Sequence, residues 1–484
     1  MKVTLVNPAP MLKAELHDMP DHPHLGLAYL AAVLEKKGVD VRVVDAKLER
    51  LDFDSAVERI LERKDDLIGF SAYTHDVTPS ARLAEKIKRK HSDTLMLLGG
   101  VHVTALPEET MEKFPVFDLA AIGEAEVMFG DLVDWFNGKK DLHNVKAIAF
   151  REDGRLIVNS EKNVPMDLDA VPFPAWHLFP KADGYHIITA RGCPYQCVFC
   201  MSPYGRDLTR ERSPKNSVKE MEMTIEAYNP KYYKFNDETF GLNRKRALDI
   251  LDLIVAKGLH KVPKIASMRG NLVDPEILAK MKEAGFNFID YGVETGDPNI
   301  LRIIKKGVTL EQTRRAVKIT KEAGIGVGTN FILGHPHDTL ETMNRTLDYA
   351  ASLNPDLIAI GIMVPYPGTE VAEYVKRGEG GYKVLSTNWE DYNKQLGNAV
   401  ELENVSRRQL ELLQLKGYTM TYLRNGKYWD FAKFCYSYRR AALAFARNFV
   451  KKKYHKPEEQ PKTVDGGWSE SAIRGRNFWS GTPN

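Results

Sequence analysis

Short apolar runs alternate with amphipathic helical stretches along most of this chain, and that alternation leaves few folds open. In residues 1–140 the runs are VTLVN (3–7), VRVVD (41–45), LIGFS (67–71), LMLLG (95–99) and LAAIG (119–123). The stretch LGLAYLAAVLEKKG, between the first two, stops at Gly38 as a helix C-terminus does. Strands that read as buried on both faces, with helices between them, predict a doubly wound parallel sheet. Ligands of such sheets sit outside the carboxyl ends of the strands. Those ends carry Asn7-Pro8, Asp45, Ser71, Gly99-Gly100-Val101-His102 and Gly123-Glu124.

Residues 141–185 read as a connector: a hairpin turning near Gly154, then the Pro-rich VPMDLDAVPFPAWHLFP. Alternation resumes over 186–375 with HIITA (186–190), YYKFN (232–236), KIASM (264–268), FIDYG (288–292), GTNFILG (328–334) and LIAIG (357–361). Six βα units in about 180 residues predict a partial (β/α)6 TIM-type barrel. Residues 376–455 read as mainly helical, and 456–484 as a polar tail with the composition of a flexible segment. The fold class is thus α/β: a doubly wound Rossmann-like sheet, a partial barrel and a helical C-terminal region.

A net charge of +3 over 484 residues does not mark a nucleic-acid binder. No run approaches the ~20 apolar residues of a membrane span, and MKVTLVNPAP lacks the apolar core of a signal peptide. A cytoplasmic chain is expected. Of four cysteines, three fall in Ala190-Arg191-Gly192-Cys193-Pro194-Tyr195-Gln196-Cys197-Val198-Phe199-Cys200, directly after the first barrel strand. Thiolates this close in a reducing compartment point to a metal or cluster site rather than a disulfide framework. Three thiolates on a cubane that normally takes four leave one iron open for a substrate or cofactor. Two other readings stay open at this point. One is a structural zinc site completed by His186 or Cys435. The other is a non-catalytic iron–sulfur carrier or sensor, although a ferredoxin-like carrier asks for a fourth nearby cysteine.

The loop, with Phe199 just before its last cysteine, resembles the signature of the radical S-adenosylmethionine (radical SAM) superfamily. The resemblance implies a [4Fe-4S] cluster on Cys193, Cys197 and Cys200, whose open iron chelates S-adenosylmethionine and yields a 5′-deoxyadenosyl radical. It extends through the segments after the later strands. Asp237 and Glu238 stand where the family touches the methionine amino group. Arg269 could neutralise a carboxylate, Glu294 is placed to bond ribose hydroxyls, and Gly334 ends the fifth strand. Phe199 joins this expected S-adenosylmethionine set. His335 and His337 are candidate proton donors, although a histidine beside a turn proline is more often a packing or surface residue.

The first domain resembles the cobalamin-binding domain that precedes the radical domain in one subclass. Asn7-Pro8, Leu25-Gly26-Leu27-Ala28-Tyr29-Leu30-Ala31, Gly99 to Thr104 and Gly123 to Glu126 carry the likeness. The expected cobalamin-binding residues are Asn7, Gly26, Ser71, Tyr73, Gly99, Gly100, Val101, His102, Gly123 and Glu124. Glycines at strand ends suit this, because the backbone can approach the corrin closely. Asp-x-His-x-x-Gly, which supplies a lower cobalt ligand elsewhere, is not present, so His75 is not expected to ligate cobalt. A domain that keeps the fold without cobalamin is the competing reading. A nucleotide-binding Rossmann reading is weaker, since no G-x-G-x-x-G follows the first strand. Methylthiotransferases would carry three more N-terminal cysteines, and this domain has none.

The resemblance implies cobalamin-dependent methylation of an unactivated carbon. The alternative is a radical cyclase or rearrangement enzyme without methyl transfer. The substrate, small-molecule or lipid-like, belongs between the two domains, and the cluster needs an external donor of flavodoxin or ferredoxin type. Residues 427–456 hold nine Lys and Arg against one Asp, interleaved with aromatics. Such a helix can lie on an anionic membrane or pack over the barrel with a solvated basic face.

Overall fold

The computed structural model describes residues 1–9, 20–202, 205–206, 208–394, 398–437 and 439. The 456–484 tail and most of the basic 427–456 segment therefore lie outside the described residues.

The first sheet starts from five parallel strands: β1 (Lys2–Asn7), β2 (Asp40–Asp45), β3 (Leu67–Ser71), β4 (Leu95–Gly99) and β5 (Leu119–Ala121). Two antiparallel strands follow, β6 (Ile148–Glu152) and β7 (Arg155–Asn159), and the order is β2-β1-β3-β4-β5-β6-β7. The hairpin that reads as connector thus extends this sheet by pairing Leu119–Ala121 with Ile148–Phe150. Val3, Leu5, Val6, Leu67, Ile68, Met96 and Leu98 are almost wholly buried, as a sheet covered on both faces requires. The order reverses at β1, between β2 and β3, which puts the ligand crevice at their carboxyl ends. The expected fifth strand stops two residues early. Gly123 takes a left-handed φ of 80°, and Ile122 N–H bonds Ala147 instead.

A two-residue ladder joins β9 (Ala190–Arg191) to β10 (Arg210–Glu211). The second sheet is wholly parallel: β8 (Gly184–Ile187), β11 (Tyr232–Phe235), β12 (Lys264–Met268), β13 (Phe286–Glu294), β14 (Gly326–Leu333) and β15 (Leu357–Ile362). Its order, β15-β14-β13-β12-β11-β8, runs from one open edge to the other, which is the partial barrel the alternation predicts. The first barrel strand begins and ends earlier than its apolar run suggests. Thr189 N–H and hydroxyl both go to the Asp237 carboxylate, at 2.5 and 2.6 Å, so the chain leaves the ladder there.

The helix Arg407–Arg424 covers the β15 edge. Gln414 donates to the Ile360 carbonyl at 2.6 Å, and the Tyr418 hydroxyl accepts from Ile360 N–H at 3.0 Å. An edge strand that would otherwise offer free backbone groups is thereby closed. Gly417 permits the approach: a Cβ there would lie 2.4 Å from an Ile360 methyl.

The two sheets are stitched together beside β8. Tyr232 donates to Asp21 at 2.5 Å, Gly184 N–H donates to the Asp21 carbonyl, and Tyr29 bonds the buried Arg212–Glu220 ion pair. Among the described residues no helix is long and apolar enough to cross a membrane.

Candidate active site between the domains

A cavity of about 550 Å³ lies where the strand ends of the first sheet meet the β8–β11 side of the second. Its size falls in the usual range for a cofactor or ligand site, roughly 300–1,000 Å³. One wall consists of Gly26, Ser71, Tyr73, Gly99, Gly100, Val101, Gly123 and Glu124. Eight of the ten residues expected from the sequence to meet cobalamin are therefore in one place. Gly100 sits at φ 109°, and a Cβ there would fall 2.4 Å from the Ala72 carbonyl oxygen. A Cβ at Gly123, by contrast, would meet no protein atom within 4 Å, so that strand end leaves the cavity floor open. This backbone cradle fits a broad, flat ligand such as a corrin.

Asn7 and His102 do not line the cavity. Asn7 donates to Asp45 at 2.7 Å, bracing the ends of β1 and β2. His102 is buried against Trp389, ring centroids 4.1 Å apart, and shares a 3.3 Å bond with Thr74. Burial pushes its pKa down to about 3, so it packs as a neutral ring. Glu124 reaches the cavity, but its carboxylate is held by two guanidiniums, at 2.5 Å from Arg191 and also by Arg210. Arg191 holds Glu126 as well, at 2.6 Å. This buried cluster ties the end of the first sheet to the residue that opens the cysteine loop.

The opposite wall includes His186, Ile188, Arg191, Lys234, Asn236 and Glu238. Glu238 accepts from Ser202 at 2.9 Å through one oxygen, while Oε2 is buried without a partner. Burial, the largest cause, raises its pKa to about 7. Asp237, expected beside it on the methionine amino group, is committed elsewhere. It is buried and accepts the Thr189 and Ala190 N–H groups, so it shapes the approach to the cysteine loop instead.

Burial raises the pKa of Cys193, and that of Cys200 to about 11. Free thiols here stay protonated at neutral pH, and only strongly positive iron would make them thiolates. Among the described residues no three His, Cys, Asp or Glu converge on a point that a single ion could occupy. A cubane does not ask for that, since its three thiolates bind three different irons. The loop is held by Arg206, which has no sequence signal, and by Arg269, which the sequence places near the S-adenosylmethionine carboxylate. Arg206 donates to the carbonyls of Tyr195 and Cys197 at 3.2 and 3.1 Å, and to that of Cys200. Arg269 stacks on Tyr195, 3.4 Å from the ring centroid, and reaches the Cys197 sulfur at 3.8 Å. Its Nη2 bonds the Lys306 carbonyl, while its Nε is buried and unpartnered.

Behind the loop, Phe199 packs against His335, centroids 5.6 Å apart. Burial lowers the His335 pKa to about 4, and its Nδ1 has no partner. His337 is exposed. Glu294 pairs with Lys306 at 2.7 Å and holds a left-handed φ of 71° at a register shift between β13 and β14. Backbone strain of that kind gathers at functional sites. Gly334 turns the chain after β14 at φ 84°, its N–H on Asp338 and its carbonyl on Tyr382. The methionine end of S-adenosylmethionine asks for an acceptor for its amino N–H and a donor for its carboxylate. The orphaned Glu238 Oε2 and Arg269 Nε are groups of those two kinds.

His22 and His24 also line the cavity and were missed from sequence. His24 caps the helix Leu25–Lys36 by accepting the Leu27 N–H at Nδ1, which leaves Nε2 facing Ser71 at 3.4 Å. A histidine directly before the LGLAYLA helix was the available signal.

Comparison with known proteins agrees with this arrangement. The model of the radical SAM superfamily matches residues 187–350, and that of the B12 binding domain matches 18–133. An uncharacterized methyltransferase of Pyrococcus horikoshii is 33% identical, over 83% of this chain and 88% of its own. An anaerobic magnesium-protoporphyrin IX monomethyl ester cyclase of Rubrivivax gelatinosus is 28% identical, over 77% of this chain and 68% of its own. Among solved structures, the radical S-adenosylmethionine methyltransferase TsrM of Kitasatospora setae, with cobalamin and a [4Fe-4S] cluster bound, superposes with a TM-score of 0.67. It is 18% identical, and the match covers 87% of this chain and 88% of that one, a likeness of fold.

Proposed function

The chain belongs to the cobalamin-dependent radical SAM methyltransferase family, and on that premise we propose that it methylates an unactivated carbon of a small molecule held between its two sheets. The observation that carries this reading is the single cavity whose walls are the glycine strand ends of the B12-binding domain and the barrel strand leading to Glu238. The family's cofactors are a [4Fe-4S] cluster, S-adenosylmethionine and cobalamin. When bound, the first two supply a hydrogen-abstracting radical and the third supplies a methyl group.

The chain's own residues do the rest. Cys193, Cys197 and Cys200 bind iron, with Arg206 and Arg269 holding their loop. Glu238 would accept from the amino group of S-adenosylmethionine, and Arg269 Nε would donate to its carboxylate. Phe199 and Gly334 shape the adenosine side, and Glu294 takes the ribose. Gly26, Gly99, Gly100, Val101 and Gly123, with Ser71 and Tyr73, carry the corrin. Asn7, His102 and Glu124 brace those strand ends from behind.

An external flavodoxin- or ferredoxin-type donor in a reducing cytoplasm would supply the electrons that a cluster on Cys193, Cys197 and Cys200 needs. Tyr428, Trp429 and Tyr436 are exposed on the helix Tyr428–Ser437, next to the basic segment, which supports peripheral contact with an anionic membrane. A cyclisation without methyl transfer is the second reading, favoured by the likeness to the cyclase of Rubrivivax gelatinosus.

Anaerobic incubation of reconstituted protein with dithionite and S-adenosylmethionine tests the class: 5′-deoxyadenosine forms, and its absence refutes radical catalysis. Gel filtration after loading with hydroxocobalamin tests the first reading. Methyl transfer requires a corrin absorbance that stays with the protein, and its loss refutes methyl transfer from cobalamin.

A further inference from the structure

The cofactor assignments leave one charged group of the cavity unused. Lys234 projects from β11 beside His186 of β8, with which it is in register, and both line the cavity. Lys234, Asn236 and Glu238 follow one another on the same wall, spaced by two as strand residues on one face are. Among the described residues, Lys234 has no hydrogen bond or ion pair. Arg191, the other permanent cation of this wall, is already held by Glu124 and Glu126.

The nearby acids do not serve Lys234. Asp21 accepts from Tyr232, and Glu238 from Ser202. Asp290 of β13 senses the lysine charge without lying within the 4.0 Å of an ion pair. Around Lys234 stand two imidazoles, His22 and His186, with ring centroids 3.8 Å apart. Burial, aided by the lysine charge, lowers the pKa of both, that of His186 to about 2, so both are neutral. His22 Nδ1 is buried with no partner. A cation without a hydrogen bond or ion pair among the described residues and an orphaned imidazole nitrogen, side by side on a cavity wall, form a polar arrangement that a ligand completes.

Resting on the functional reading above, we propose that Lys234, with His22 and His186, is an anion-receiving subsite that holds a carboxylate or phosphate group of the substrate. Fixing the substrate by that end directs its remaining surface along Asn236 and Glu238 toward the cysteine loop. An anionic small molecule is thereby favoured over an uncharged lipid. Cobalamin's own phosphate is the other possible source of the same chemistry, and the test separates the two.

The test is anaerobic calorimetric titration of cluster- and cobalamin-loaded protein with benzoate, phenyl phosphate and the neutral benzamide. Wild-type protein is expected to bind at least one anion and not benzamide. Lys234→Met should weaken that binding about tenfold or more, the loss of one charge-assisted contact, and Lys234→Arg should largely preserve it. Equal anion binding by Lys234→Met, or no anion binding by loaded wild type, overturns the proposal. The cobalt-to-protein ratio is measured in parallel. A ratio that falls in Lys234→Met assigns the lysine to cobalamin's phosphate and overturns the substrate assignment. None of these readings depends on 5′-deoxyadenosine formation, so failure here is distinct from failure of radical catalysis.

Discussion

The two walls of the cavity solve different problems with different materials. The wall from the first domain is rich in glycine: Gly26, Gly99, Gly100 and Gly123 bring peptide groups to the surface among apolar side chains such as Leu5, Phe70, Leu97 and Phe129. The barrel wall is side chains: His186, Arg191, Lys234, Asn236 and Glu238. A large rigid cofactor is held by shape and close approach. Bond-breaking chemistry needs polar groups at fixed points, and on this wall burial raises the pKa of Glu238 and lowers that of His186. Damage to one wall should therefore leave the occupant of the other largely in place.

The largest break is Cys197→Ala. Cluster iron should fall to background and 5′-deoxyadenosine formation should be abolished, while retained cobalamin, read by absorbance after gel filtration, is unchanged. Next is Gly100→Val on the other wall. A left-handed β-branched residue adds about 1–3 kcal/mol of strain, and its Cβ would collide with the Ala72 carbonyl. Cobalamin should be lost with cluster iron intact. Arg191→Ala strikes the seam and should blur the distinction. It strands the half-buried Glu126 and leaves Glu124 to Arg210 alone; breaking a buried pair typically costs about 3–5 kcal/mol, so the urea midpoint should drop and both iron and cobalt contents should fall.

The smallest effect is a pH dependence. Burial raises the Glu238 pKa to about 7, and an amino N–H donates to the carboxylate form. S-adenosylmethionine affinity, measured by equilibrium dialysis, should rise as pH climbs through 7, and Glu238→Gln should be weaker and flat with pH.

Much of this was legible in the sequence. Strand positions follow from apolar runs bounded by turn residues, and β3, β4 and β12 coincide with LIGFS, LMLLG and KIASM. The cysteine loop and the glycine strand ends were visible because each is local. What escaped depends on side chains meeting across distance. Asp237 reads as a cofactor contact beside Glu238, yet adjacent residues point opposite ways, and it caps Thr189. Glu124 reads as a cobalamin contact, yet Arg191 and Arg210, far along the chain, claim it. Arg206 holds three loop carbonyls, and Lys234, beside two histidines, has no ion pair among the described residues. Neither fact has a sequence pattern, because each is set by which strands the topology brings together.

That the cysteine loop, which reaches the cavity through Arg191 at its start, lies close to the B12-binding wall is tested most directly by electron paramagnetic resonance of protein carrying both cob(II)alamin and the reduced cluster. Two neighbouring spins should interact, broadening or splitting the cob(II)alamin signal when the cluster is reduced and sparing it in Cys197→Ala. A cob(II)alamin signal unchanged by cluster reduction would contradict that proximity.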